Sequence, residues 1–243
     1  MIVVTERVRL PLKISRGTDK ERMKLAENLL SNFVNRIEPE FNKRKELSLD
    51  RVQAVLRESL PYKRVYVETL QSQNGNGNNF LLHCDDYGRL DALALELETN
   101  ERGKIGLEQR NSLYHEAYHF FDAICRPKNS SRSMSMDDKV MNDYLNFYHK
   151  NFYTKRKIKN KLLSDRLSQF LAKYEDSEKV NLLQQLRYDM IGELGAYSNA
   201  EKYVPENGQF HGFNFPEKIK LVSEKLKDQF MSMRTEREEN LFF

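Results

Sequence analysis

The chain has 243 residues, of which 39% are hydrophobic and 31% are charged, and its formal net charge at pH 7 is +4. This length is enough for one sizeable core, in one domain or in two small ones. The small positive charge gives little reason to expect nucleic acid as the main partner. Cys84 and Cys125 are the only cysteines, which argues against a disulfide framework and favours a reducing compartment.

The sequence contains no long apolar segment. Glu6, Arg7 and Arg9 interrupt the N-terminal stretch MIVVTERVRLPLKI, so we expect no signal peptide. No uncharged apolar run approaches the roughly 18 residues that a membrane span needs. We therefore expect a protein that is made in the cytosol and either works there or is exported without a signal peptide.

The N-terminal residues predict a strand and two helices. Residues 7–14 alternate in polarity like a half-buried strand, and the proline within them places that strand at a sheet edge. Thr18 and Glu21 have the spacing of a capping box and predict the start of a helix. Ser48 is expected to cap a shorter helix that ends before Pro61. The first helix has an apolar stripe made of Met23, Ala26, Leu29, Leu30, Phe33, Val34 and Ile37.

Three strands are predicted next, at residues 64–70, 80–84 and 90–98. The Asn-Gly pairs within residues 72–79 mark a turn or loop between the first two. We interpret the three strands as a small antiparallel meander.

The pattern is helical from about Gly106 almost to the end of the chain. Strands followed by helices favour an α+β fold over alternating βαβ units. We predict one domain over residues 1–243, with an α/β part to about residue 125 and a helical part from about residue 126. The predicted helices lie near residues 107–125, 138–150, 157–174, 177–203 and 216–238.

Residues 112–121, SLYHEAYHFF, carry the sharpest chemical signal. His115 and His119 project from one face of a helix, one turn apart, so two imidazole nitrogens can reach one Zn²⁺ at about 2.0–2.1 Å. Glu116 would lie beside the metal, where it can take a proton from a bound water and pass it to a leaving amine. The other residues of the segment are uncharged, as a buried active-site helix requires.

These residues resemble the HExxH signature of the zincin superfamily of zinc metallopeptidases. The resemblance implies a Zn²⁺ cofactor, hydrolysis of peptide bonds in a protein or peptide substrate, and a zincin-like fold in which strands precede the active-site helix. In that superfamily an edge strand pairs with the substrate backbone, and residues 90–98 occupy the matching place.

The third metal ligand has two candidates. The metzincin branch continues the signature as HxxGxxH, but Asp122 and Cys125 hold the corresponding positions, which argues against that branch. The gluzincin branch supplies a glutamate from a later helix, and Glu193 lies within the apolar stripe of the helix predicted at 177–203. A buried carboxylate is costly unless it is paired or metal-bound. Asp189, one turn earlier, is either a partner of a ligand histidine or the ligand itself.

The remaining site residues are less determined by the sequence. Tyr188, Tyr197 and His211 are candidates for the hydrogen-bond donor that stabilises a tetrahedral oxyanion. Asp122 could orient a ligand histidine, be solvated, or pair with a neighbouring helix. His83 and His149 are interpreted as ordinary structural residues.

Two segments indicate other functions. Residues 150–161, the basic segment, hold six basic residues, two aromatics and no acid, and could bind an acidic protein surface, anionic lipid or RNA. The alternative to a peptidase is therefore a non-catalytic helical interaction protein that uses the basic segment to bind an acidic partner. Residues 234–243 resemble the glutamate-rich C-terminal signals of bacterial effectors exported by type IV secretion, and also part of a protease-cleavable expression tag.

Overall fold

A computed structural model describes most of the chain, in two compact units. The first unit draws on Met1–Ser130 and Ala196–Asn207, and the second on Ser131–Gly195 and Gly208–Phe243. No helix in the described part combines the length and the apolar character needed to cross a membrane. The strand predicted at residues 7–14 lies outside the described residues, which are 19–59, 65–69, 79–84, 90–97, 99–125, 138–156, 158–205 and 213–239.

The first two helices form as their sequences predict. Helix α1 spans Asp19–Arg44. Its apolar stripe faces the core of the first unit, where Ala26, Leu30 and Phe33 are fully buried. Helix α2 spans Leu49–Glu58, and the Ser48 hydroxyl caps it by accepting a hydrogen bond from the Arg51 backbone N–H at 3.3 Å. A cap of this kind satisfies one of the backbone donors left open at a helix start.

A two-stranded antiparallel sheet in the first unit was not predicted. Strand β1, Glu46–Ser48, pairs with strand β5, Lys104–Gly106, and the buried residues Leu47 and Ile105 face each other in this pair. Strands of three residues hold too few alternations to stand out in a sequence.

The second sheet has three strands in the order β2-β4-β3. They are β2, Val65–Thr69, β3, Asn79–Cys84, and β4, Leu90–Leu97. Strand β4 pairs antiparallel with β3 but parallel with β2, so the predicted antiparallel meander is wrong. The interpretation of residues 90–98 as an edge strand is also wrong, because β4 has a neighbour on both sides. Alternation shows which face a strand buries, but not which strands lie beside it.

Helix α3, Arg110–Ile124, follows a short 3₁₀ helix at Leu107–Gln109 and packs on α1. The Phe33 ring meets the rings of Tyr114 and Phe121 edge-on, with centroids 6.5 and 6.1 Å apart. Glu38 accepts hydrogen bonds from Arg110 Nη1 at 3.0 Å and from the Tyr114 hydroxyl. This combination of ring packing and charged hydrogen bonds fixes α3, the helix that carries residues 112–121, against α1.

The described residues of the second half of the chain lie mostly in helices, as predicted. Helix α6 is unbroken, and its last residues, from Ala196 on, belong to the first unit, where Ala196 and Ala200 are fully buried. The described residues are therefore mostly helical with small sheets, which agrees with an α+β class. The helices are α4, Asp138–Asn151, α5, Asn160–Leu171, α6, Asp176–Tyr203, and α7, Phe215–Glu239.

Candidate metal centre

Helix α3 brings two imidazole nitrogens together. His115 is buried, with 8% of its surface exposed, and His119 is half-buried. Their Nε2 atoms are 3.1 Å apart. Two ligands of a tetrahedral zinc ion lie about 3.3 Å apart, so the pair is already close to the separation that a shared metal requires.

Helix α6 adds a carboxylate to this pair. The nearest ligand atoms of His115, His119 and Glu193 all lie within 4.8 Å of one another, and Oε2 of Glu193 is buried. Gly192 and Gly195, one residue before and two residues after Glu193, are both buried. Residues this small allow a helix backbone to approach its neighbours closely. Two imidazoles and one carboxylate form a ligand set that zinc accepts, as do other divalent transition metals.

Asp189 is engaged elsewhere. Its Oδ2 accepts a hydrogen bond from the Tyr144 hydroxyl, and its Oδ1 accepts one from Gln185 Nε2 at 2.7 Å. Burial and the nearby Asp189 carboxylate raise the pKa of Tyr144 well above its usual value, so this phenol remains a donor. The geometry therefore favours Glu193 over Asp189 as the carboxylate that joins the histidines.

Glu116 lies beside the ligand group, not within it. Its Oε1 is 4.0 Å from His115 Nε2, and its side chain is 13% exposed. A carboxylate in this position can take a proton from a water molecule held near the two histidines. This matches the general-base position expected from the spacing of residues 115, 116 and 119.

The three candidate oxyanion donors have different places. Tyr197 lies one turn after Glu193 on α6, and its ring centroid is 4.4 Å from that of His115. Tyr188 is half-buried on α6, five positions before Glu193 and therefore about 140° away around the helix axis. His211 lies outside the described residues. Tyr197 thus lies against one of the proposed ligands.

Asp122 belongs to a buried ion pair. Its Oδ1 accepts a hydrogen bond from Arg22 Nε at 2.9 Å, and the two side chains are 2% and 6% exposed. Sequence reasoning missed Arg22, although it precedes Ala26 by one helical turn and so places a charge on the apolar stripe of α1. The alternative in which Asp122 pairs with a neighbouring helix is thus the one observed.

Among the described side chains, those of Cys125 and His149 are less suited to the site. Burial raises the pKa of the Cys125 thiol to about 12, and a protonated thiol is a poor metal ligand. His149 is exposed on α4, with its ring against those of Tyr148 and Tyr153. The side chain of His83 is outside the described part of the chain.

Comparisons with known proteins do not assign the chain to a family. No protein-family model matches it, and no curated protein or solved structure matches it either. The interpretation of the centre therefore depends on the side chains of α3 and α6 themselves.

Proposed function

We propose that this protein is a zinc-dependent metalloendopeptidase of gluzincin-like type. The observation that carries the proposal is the convergence of His115 and His119 with Glu193, since these residues come from two helices far apart in sequence. A chance HExxH segment has no reason to attract a third ligand of the appropriate chemistry.

The ligand set suits a catalytic zinc ion. Two imidazoles and one carboxylate would hold a zinc ion and leave room for a water or a substrate, as catalytic zinc sites require. A bound cation would also offset the cost of withdrawing the Glu193 carboxylate from water. When bound, zinc lowers the pKa of a coordinated water to about 7 and polarises the scissile carbonyl.

The chain's own residues supply the proton transfers. Glu116 accepts the proton of the attacking water and then delivers it to the leaving amine. Tyr197 is the first candidate for donating a hydrogen bond to the developing oxyanion, with Tyr188 and His211 as alternatives. The substrate class is a peptide bond in a protein. Residues 234–243 resemble the export signals of bacterial effectors, and on this sequence resemblance alone we propose that the substrate is a protein of a host cell.

Zinc content is the decisive measurement. Elemental analysis of the purified protein should find about one zinc per chain. Glu193→Gln should lose most of it against a competing chelator, whereas Asp189→Asn should retain it. Wild type that is folded by circular dichroism yet holds no zinc after reconstitution would refute the metal site. The reverse ranking of the two variants would make Asp189 the ligand.

Cleavage is tested separately, because a structural zinc site would also pass the metal assay. A mixed peptide library incubated with the zinc-loaded protein should give cleavage products by mass spectrometry, and a chelator should abolish them. Metal binding without any chelator-sensitive product would leave the centre structural and contradict the peptidase.

A further inference from the structure

The basic segment, residues 150–161, presents its charge to solvent without compensation from its own sequence, since it contains no acid. Every basic side chain of the segment that the structure describes is exposed: Lys150, Lys155, Arg156, Lys159 and Lys161. A cluster of this size produces a strong local positive potential although the whole chain carries only +4.

The two aromatic residues of the basic segment turn inward. Phe152 is fully buried, and the half-buried Tyr153 packs its ring 5.0 Å from that of Phe213. Phe213 in turn stacks on Phe215, with centroids 5.3 Å apart. Non-specific binding of single-stranded nucleic acid uses exposed aromatic rings on which bases stack, and in this segment those rings are occupied by the protein's own core.

A buried lysine anchors the backbone of the basic segment. Lys218 of α7 donates from Nζ to the carbonyl oxygens of Phe152 at 2.7 Å and Thr154 at 3.2 Å. The buried Asn151 donates to the Phe147 carbonyl at 3.0 Å. The two bonds from Lys218 hold the backbone of the segment against α7, so its cations are presented from a fixed backbone.

The composition of this surface favours a diffuse anionic partner. Its described cations are four lysines and one arginine, and lysine acts as a hydrated point charge without the planar fork that recognises single carboxylates or phosphates bidentately. Leu162, the residue that follows Lys161, is 46% exposed, so an apolar side chain adjoins the cations. Clusters of four to eight basic residues beside an apolar contact are typical of anionic lipid recognition.

We propose that the basic segment docks this protein onto an anionic lipid surface, with Leu162 reaching the headgroup boundary. The attraction is electrostatic and falls off within a Debye length, so binding weakens as salt rises. It concerns a surface of the second unit and does not depend on zinc or on peptidase activity.

The test is co-sedimentation of the full chain with vesicles of phosphatidylcholine alone or mixed with phosphatidylserine. Wild type should bind only the mixed vesicles, and salt should release it. Arg156→Gln with Lys159→Gln should weaken binding by about fivefold per cation, or about 25-fold in all. The matched control, Lys173→Gln with Lys227→Gln, removes two exposed lysines outside the segment and should bind like wild type.

Three results would overturn the proposal. The first is no sedimentation with mixed vesicles at low salt. The second is that the control variant loses as much vesicle binding as the variant of the basic segment, which would show that binding depends only on the net charge of the protein. The third is binding to polyglutamate or to homopolymeric RNA with no binding to vesicles, which would assign the surface to an acidic protein or to nucleic acid.

Discussion

The buried carboxylate of Asp122 and the half-buried carboxylate of Glu193 are accommodated in different ways. Asp122 of α3 faces the guanidinium of Arg22 at 2.9 Å, whereas Glu193 of α6 faces the imidazoles of His115 and His119. A guanidinium is charged at every pH at which a protein is folded, so it stabilises its carboxylate permanently. Neutral imidazoles contribute lone pairs, which suit a cation that binds and leaves. The first carboxylate is therefore compensated by the fold itself, and the second would be compensated by the metal ion that we propose.

The largest expected effect separates chemistry from metal binding. Glu116→Gln removes the base but leaves all three proposed ligands, so cleavage should fall by about 10²–10⁴-fold with zinc content unchanged. Library cleavage and elemental analysis on one preparation measure both. Glu101→Gln, at an exposed position, is the control and should behave as wild type. A Glu116→Gln variant that cleaves at the wild-type rate would disprove the mechanism.

Removing the guanidinium of Arg22 should lower the stability of the fold without a direct effect on the proposed cleavage reaction. Arg22→Ala removes the guanidinium that faces the buried Asp122 carboxylate, and breaking a buried ion pair in this way costs about 3–5 kcal/mol of unfolding free energy. Urea denaturation measures this loss.

The double variant Arg22→Met with Asp122→Leu removes both charges and should recover much of that stability. A loss below about 1 kcal/mol in Arg22→Ala would mean that the pair is not desolvated as the structure indicates.

Binding of zinc at the proposed site should stabilise the folded protein by mass action. Free zinc at about a hundred times its dissociation constant raises the unfolding free energy by about 2.7 kcal/mol. The increment is measured by denaturation with and without zinc. It should be much smaller in Glu193→Gln and unchanged in the Arg22→Met with Asp122→Leu variant. Equal increments in all three proteins would show that zinc binds elsewhere.

Lys218 gives a third kind of buried charge, a cation whose ammonium donates to carbonyl oxygens. Burial lowers its pKa from 10.5 to about 8, so between these values the unfolded chain holds a proton that the folded protein has released. Stability contributed by this group therefore rises with pH across that window.

The change from pH 7 to pH 10 should be roughly 1–3 kcal/mol, the smallest of these effects. Because the raised pKa of Cys125 acts in the opposite direction, the relevant quantity is the difference between wild type and Lys218→Met in denaturation at each pH. A difference that stays constant from pH 7 to pH 10 would contradict the lowered pKa.

The sequence was informative where a pattern repeats along one element. The stripe of α1, the limits of α3 and the position of Glu193 within an apolar face all followed from helical periodicity. The pairing of β4 with both β2 and β3 did not, because strand neighbours are decided by contacts between distant residues. Arg22 interrupts the apolar stripe of α1 as Glu193 interrupts that of α6. Only Glu193 was predicted to be a site residue, because the HExxH signature requires a third ligand and nothing in the sequence required a partner for Asp122.

The continuity of α6 has a consequence for synthesis. A nascent chain that ends before α6 already holds His115, Glu116 and His119 but lacks Glu193, so it has only two of the three proposed ligands. Chains fold from the N-terminus as they emerge, and here the core of the first unit also awaits Ala196 and Ala200. Completion of the proposed metal centre and completion of this core thus require the same helix, α6.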